Sequence, residues 1–444
     1  MTETRMPRSL AAVVYFTLYS VIALLPLHMA MVADPHPQAR GLGLEFAVGL
    51  GFVAWTLLLL ELVLVSRLRT LSDAFGTDAL LQFHRALGLA ASVFLLGHVI
   101  GTGALGGLWQ WFDPFADSLP ARSGAIAFWA LAVLVVTSLL RRALRLGYDA
   151  WNRIHRIGTL VLLAGSATHI VSVSGYTAAP SVRNLVLLLA LSFFALLLNY
   201  QVLRPLRLWR RPWRVTANPD IGGDTHLLNV RPEGHAGFRF EPGQFAWLIT
   251  GRSPFTHQQH PITIASSAEA AGTQQYAIKK LGDWSRETVP TLAPGDRLWV
   301  EGPYGALSVD RLPAQGFVLI AGGIGITPMR SILLTLRDRG DRRPCLLFYA
   351  ANDYSRVVFR EEFAALCGQM DLKVVYVLEQ PNAGDDCERG RIDRALLERH
   401  LPTARRHFQY LVCGPNPMMD SIERLLFDLG IDDERIHSER FNQI

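Results

Sequence analysis

Two apolar stretches share one pattern, and that pattern constrains the fold more than any other feature of the chain. The first opens on His84-Arg85 and runs, almost wholly apolar, to Gly97-His98; the second opens on His155-Arg156 and runs to Thr168-His169. In each, a second histidine lies fourteen residues after the first. Fourteen residues is close to four helical turns, so both histidines of a stretch fall on roughly one face, ~21 Å apart along the axis. A hydrocarbon core of ~30 Å then holds one histidine near each surface. Two such helices side by side present two facing histidine pairs, one above the other. Ionisable groups inside membrane helices default to function, and four at matched spacing are poorly explained as polar residues satisfied by the backbone or by each other. Haem iron takes two axial ligands on opposite faces of a flat ring, and neutral imidazole serves well. His84, His98, His155 and His169 are therefore read as axial ligands of two stacked b-type haems.

Small residues beside these histidines (Gly88, Ala91, Gly97; Gly158, Gly165, Ala167) suit a flat macrocycle lying on the helix and equally suit close helix packing. Arg85 and Arg156 suit haem propionates, or simply the cytoplasmic interface.

Half of the 444 residues are hydrophobic, and they are unevenly spread. Residues 1–203 hold six apolar runs, at about 8–29, 44–66, 79–101, 123–140, 152–174 and 183–203, each near the ~20 residues that span a bilayer. Arginines cluster on one side of these runs (Arg5, Arg8, Arg67, Arg69, Arg141, Arg142, Arg145, Arg204, Arg207, Arg210), and few lie on the other (Arg40, Arg122, Arg183). The positive-inside rule puts both termini in the cytoplasm. The third and fifth helices then run the same way, which pairs His84 with His155 near the inner surface and His98 with His169 near the outer one. The outer loop at Trp109, Trp111 and Phe112 reads as an interfacial aromatic belt; His28 and Arg40 stand near the same surface, as interfacial anchors or as stabilisers of an anion. No cleavable leader is evident after the first run. The net charge of +5 gives no reason to invoke nucleic acid, and four cysteines without metal or disulfide spacing suit a reducing cytosol.

After Arg214 the pattern changes to short strand-like runs broken by Pro and Gly, which predicts a small antiparallel barrel over 204–312. It contains His260-Pro261-Ile262-Thr263 on a strand. Lys279, then Gly282-Asp283-Trp284-Ser285, offers a cation, a tight glycine and a serine opening a helix, a phosphate cradle. Residues 313–444 alternate buried strands with helices. Phe317–Ala321 runs into Gly322-Gly323-Ile324-Gly325-Ile326-Thr327-Pro328 and a helix from Met329 to Arg337, the strand–glycine turn–helix device for a dinucleotide pyrophosphate. A second strand ends at Cys413-Gly414-Pro415, placing Cys413 where ligands of parallel sheets bind; a buried small hydrophobe explains Cys413 equally on spacing alone.

With these residues in place, the whole chain resembles the NADPH oxidase and ferric reductase superfamily in its compact bacterial form. The resemblance implies a multidomain fold: an all-α six-helix transmembrane haem bundle, an antiparallel β-barrel FAD domain and an α/β Rossmann-like NADPH domain. It implies that His260 to Thr263 form the flavin motif, with Thr263 near the ring, and that Gly282 to Ser285 contact the FAD pyrophosphate. It implies a nicotinamide site at Gly322, Gly323, Gly325, Thr327 and Pro328 and at Cys413, Gly414 and Pro415. Phe441 resembles the terminal aromatic that covers the flavin. Calcium-binding hands are not found. The strand ending at Ala351 carries Asn352 where relatives choosing NADPH often place arginine; Ser355 and Arg356 are the candidates for a 2′-phosphate, with NADPH expected and NADH the alternative.

The expected activity follows from the order of parts: electrons pass from cytosolic NADPH through FAD and two haems to molecular oxygen outside, producing superoxide, with no obligate regulatory subunit. A ferric or cupric reductase, or a donor to a periplasmic partner protein, would share the same path. A transporter or channel with structural histidines, fused to a flavin sensor, is the reading from another class; it would lack haem absorbance.

Overall fold

The computed structural model describes residues 8–33, 41–107, 109–256, 258–270 and 272–440. The chain divides into two compact units, one ending at Arg204 and one beginning at Pro205.

The first unit is helical: α1 (Arg8–Val32), α2 (Leu42–Val65), α3 (Arg69–Phe75), α4 (Thr77–Gly106), α5 (Leu119–Leu139), α6 (Tyr148–Val173) and α7 (Pro180–Leu198); after one π turn, α8 (Arg204–Trp209) opens the second unit. Six helices among the described residues are long and apolar enough to cross a membrane. The short α3 was not foreseen; Arg67, at φ 55°, turns the chain into it. Both histidine-bearing helices end in left-handed residues, Gly107 after α4 and Ser174 after α6, which stops the helical hydrogen-bond ladder. Helix α2 packs along α4, and α5 packs along α6. The unit therefore contains two helix pairs of similar construction, each contributing one histidine helix.

The second unit contains two sheets. Strands β1 (Pro212–Ala217), β2 (Thr225–Pro232), β3 (Phe245–Ile249), β4 (Gln259–Thr263), β5 (Gln274–Lys279) and β6 (Arg297–Tyr304) form an antiparallel sheet in the order β4-β3-β6-β1-β2-β5. It curls until its edges meet, where Ala265 N–H donates to the Gln275 carbonyl at 2.7 Å. Alternating residues such as Val215, Leu228, Val230, Leu248 and Ile278 fill its interior.

The second sheet is wholly parallel, in the order β10-β9-β8-β7-β11-β12. Its strands are β7 (Phe317–Gly322), β8 (Cys345–Ala351), β9 (Leu372–Leu378), β10 (Glu388–Arg389), β11 (Gln409–Cys413) and β12 (Ile436–Ser438). Every residue of the central strand β7 is buried, as expected of a strand covered on both faces. Leu319 packs with α9 (Ile326–Asp338) and α10 (Arg360–Cys367); Ile320 packs with α11 (Arg394–His400) and α12 (Asn416–Asp428).

Helix α9 also fastens the nucleotide sheet to the barrel. Arg330, 4% exposed, donates to the Ala265 carbonyl at 2.8 Å and Gln275 Oε1 at 2.9 Å, and pairs with Glu362 on α10. Ser331 Oγ donates to the Ser266 carbonyl, and Thr335 Oγ1 accepts from Ala268 N–H. Removing one partner of a buried, hydrogen-bonded ion pair strands the groups left behind, at about 3 kcal/mol. Arg330→Met is therefore expected to lower the stability of the second unit by about that amount, read as a shift in its denaturant midpoint at unchanged m-value; an unchanged midpoint would show that the latch carries no stability.

Candidate functional site

The four histidines meet in two pairs. The rings of His84 and His155 have centroids 6.3 Å apart with planes at 73°, and those of His98 and His169 are 6.4 Å apart at 75°. Two imidazoles coordinating one metal from opposite sides, with metal–nitrogen bonds of about 2 Å, place their ring centroids about 6 Å apart. Both pairs fit that requirement. An apolar cavity at the His98–His169 pair, walled by Phe52, Trp55, Leu95, Leu162 and Phe128, suits a macrocycle.

The outer pair is held in a way the histidine spacing alone did not reveal. His98 Nδ1 lies 2.9 Å from the Ala47 carbonyl on α2, and His169 Nδ1 lies 2.9 Å from the Pro120 carbonyl on α5. Each carbonyl accepts the Nδ1 proton, which leaves Nε2 as the metal-directed atom, the usual support of a metal-bound histidine. One turn further on stand Gly51 and Gly124. A Cβ at Gly51 would lie 2.7 Å from His98 Nδ1, and one at Gly124 would lie 2.7 Å from His169 Nδ1. Both glycines lie outside the histidine stretches, and only the repeat of glycine one turn after the carbonyl residue could have flagged them.

At the inner pair His84 Nδ1 faces the Glu61 carboxylate of α2, while His155 lies against Trp151, ring centroids 5.2 Å apart. Arg156 donates to Asn152 and Gln201 side-chain oxygens, and Arg85 is exposed. At the other end Glu45 and Tyr176 are hydrogen-bonded, Trp109 stacks on Phe112, and His28 is exposed on α1. Arg40 lies outside the described residues.

In the barrel, His260, Pro261, Ile262 and Thr263 form most of β4, with Thr263 buried and paired in register with Phe245. His260 stacks on Trp284, centroids 4.0 Å apart at 16°, and its Nε2 is buried without a hydrogen-bond partner. Burial lowers the His260 pKa to about 4, so it stands neutral near pH 7. The serine was expected to open a helix; instead Trp284–Thr288 is a single π turn with Ser285 inside it. Ser285 Oγ accepts from both Leu281 N–H and Gly282 N–H at 2.9 Å, because a short hydroxyl closes that turn locally. Those two amides are thus already bonded, and Asp283 initiates the turn. Lys279 reaches toward the neighbouring sheet: its Nζ lies 3.9 Å from where a Cβ on Gly323 would stand.

The glycine turn is as tight as a pyrophosphate site requires. Gly323 has φ +54°, a Cβ on Gly322 would lie 2.6 Å from Met418 Sδ, and one on Gly325 would lie 2.2 Å from the Cys413 carbonyl. Gly414 packs equally closely on Gly322. The helix starts at Ile326, three residues before Met329, so Thr327 and Pro328 lie in its first turn with no side-chain cap on its N–H groups. A helix N-terminus of this kind suits an anion. Pro415 N-caps α12. Cys413 is buried at the end of β11, and burial, helped by the Glu439 carboxylate, raises its thiol pKa so that it stays protonated. Ser355 bonds to Asp353, and Arg356 is ion-paired with Asp224 of the barrel. Phe441 lies outside the described residues.

Comparison with known proteins agrees with this geometry. Residues 50–166 match the family described as ferric reductase like transmembrane component, 221–308 an FAD-binding domain, and 319–424 an oxidoreductase NAD-binding domain. Sulfhydrogenase 2 subunit gamma of Pyrococcus furiosus is 30% identical over 213 residues, covering 45% of this chain and 71% of that protein. The phenol hydroxylase P5 protein of Acinetobacter pittii is 30% identical over 207 residues, 46% of this chain and 58% of the relative. The reductase component of propane 2-monooxygenase from Rhodococcus jostii is 27% identical over 236 residues, 51% and 62% of the two chains. The chain thus spans about 60% of the length of the last two relatives. Among solved structures, flavohemoglobin from Malassezia yamatoensis aligns with a TM-score of 0.49 at 19% identity over 89% of this chain and 96% of that chain.

The fold and its sites define a membrane protein with an FAD-binding and an NAD(P)-binding domain. The chain belongs to the NADPH oxidase and ferric reductase family, in which a ferric-reductase-type membrane domain is fused to a ferredoxin reductase-like module.

Two outcomes follow. Gly124→Leu pushes the His169 ring off its carbonyl, and the purified protein is expected to lose about half of its haem, one of the two centres; full haem by pyridine haemochrome assay would show the close approach to be dispensable. Asp224→Ala releases Arg356, and the ratio of KM for NADPH to KM for NADH is expected to fall several-fold, since guanidinium suits a phosphate; an unchanged ratio in steady-state assays would remove Arg356 from nucleotide choice.

Proposed function

We propose that the chain is a transmembrane oxidoreductase that passes electrons from NADPH through FAD and two b-type haems to molecular oxygen on the far side of the membrane, producing superoxide. One observation carries the reading: two histidine pairs at metal-spanning separation lie in the same chain as a flavin-type barrel and a nucleotide-binding sheet. FAD supplies the exchange between a two-electron donor and one-electron acceptors, and haem supplies the one-electron relay.

The chain's residues place these groups. Gly322, Gly323 and Gly325 let the backbone approach a pyrophosphate, the open first turn of α9 at Thr327 and Pro328 faces its charge, and Gly414 and Pro415 close the same pocket. Ser355 and Arg356 hold the adenosine end. Protonated Cys413, at the carboxyl end of β11, borders the nicotinamide. His260, Pro261, Ile262 and Thr263 line the flavin, and neutral His260 with Trp284 forms an uncharged wall. Lys279 supplies the cation for its phosphates, beside the turn of Gly282, Asp283, Trp284 and Ser285. His84 with His155, and His98 with His169, would each hold one haem, which would supply the one-electron relay. Arginine-rich segments flank the helix ends on one side, which supports cytoplasmic termini in the inner membrane of a bacterium.

The test is cytochrome c reduction in air by purified protein given FAD and NADPH, with and without superoxide dismutase. Inhibition by dismutase is expected. A signal that ignores dismutase and persists without oxygen would overturn oxygen as the acceptor in favour of a metal ion or partner protein. His98→Leu is expected to lose outward reduction by at least tenfold, about 1.4 kcal/mol in barrier terms, while FAD reduction by NADPH persists; full outward activity would sink the path.

A further inference from the structure

The four histidines are not supported alike. His98 and His169 donate to backbone carbonyls, Ala47 and Pro120. His84 instead faces a carboxylate, Glu61, and His155 Nδ1 is buried without a hydrogen-bond partner. Glu61 is itself 6% exposed, inside a candidate membrane span, and its Oε1 is buried without a partner.

The two helix pairs supply an internal comparison. Gly51 on α2 and Gly124 on α5 play the same part against their histidines. Ten residues after Gly51 stands Glu61; ten residues after Gly124 stands Leu134, buried and apolar. One frame therefore packs leucine where the other packs a carboxylate, so closing the bundle does not require the charge. A lone carboxylate in hydrocarbon is disfavoured, and what it meets here is the Nδ1 of one inner histidine.

We propose that Glu61 is a positioning residue for the inner centre: it accepts the Nδ1 proton of His84, fixes Nε2 toward the iron and, by its charge, makes the inner haem the more reducing of the two. The proposal rests on the haem reading above. A carboxylate acceptor raises the basicity of a ligating imidazole, and a negative charge beside a metal centre favours its more positive, oxidised state. The two carbonyls that accept from the outer pair are neutral. A step from the inner centre to the outer would then be favourable.

The experiment is a spectroscopic redox titration of the purified full chain with the low-spin EPR spectrum recorded alongside. Wild type is expected to show two centres of distinct potential. In Glu61→Gln and Glu61→Leu the lower potential is expected to move upward, further in the leucine variant, with the upper potential unmoved and the EPR signal of one centre shifted. A purely structural Glu61 would leave both potentials and both signals in place in variants that retain two haems, and that result overturns the proposal. Should Glu61→Leu lose haem, Glu61→Gln, which keeps an acceptor for the Nδ1 proton without the charge, decides: two haems at unmoved potentials there overturn it too. Wild-type protein without haem absorbance would overturn the haem reading itself, a different outcome from two haems with unmoved potentials.

Discussion

The contact on which the membrane unit depends is an imidazole lying on the bare backbone of a neighbouring helix. A helical carbonyl already accepts from the N–H four residues on, but it keeps a second lone pair. That lone pair is reachable from the side only where the residue one turn later lacks a Cβ. Gly51 exposes the Ala47 carbonyl in this way and Gly124 exposes that of Pro120, at hydrogen-bond distances of 2.9 Å. Without the bond, a ligand histidine in hydrocarbon would hold an unsatisfied donor, at a cost of about 1–3 kcal/mol. With it, ring tautomer and direction are set before any metal arrives. The rings so held, His98 and His169, stand 6.4 Å apart.

That constraint explains what the sequence made legible and what it did not. The histidine spacing is a one-helix property, so fourteen residues and a helical rise were enough to place four rings on two faces and to pair them. The supports are properties of two helices at once. Gly51 reads like any small residue in an apolar run, and Glu61 reads like a charge near a helix end until its neighbour is known. In the soluble unit, the glycine turn at Gly322 to Gly325 was legible because strand, turn and helix are contiguous. Ser285 was misread for a related reason: a serine after Gly-Asp-Trp is an ordinary helix opener by local rules, yet its hydroxyl turns back onto two amides and makes a π turn.

Helix α9 serves two masters, which is why its buried face is not simply apolar. Met329, Ile332, Leu333 and Leu336 face the sheet as periodicity requires, while Arg330, Ser331 and Thr335 are equally buried but point to the barrel segment 265–268. A helix whose N-terminus meets a pyrophosphate must be held rigidly in place, and backbone carbonyls of the flavin barrel provide the anchor. Lys279 then comes within reach of Gly323 from the barrel side. One element thus fixes the distance between two dinucleotide sites, and hydride transfer tolerates little error in that distance.

The membrane unit shows the opposite economy. Its two helix pairs are close to copies in the outer half, where Gly, carbonyl and histidine recur in the same frame, and they diverge in the inner half, where Glu61 stands opposite Leu134. A carboxylate inside a membrane span disfavours insertion. Replacing it by leucine would relieve that penalty and complete the symmetry. The Glu61 carboxylate, which meets His84 Nδ1, is the single difference that sets one end of this two-fold frame apart from the other.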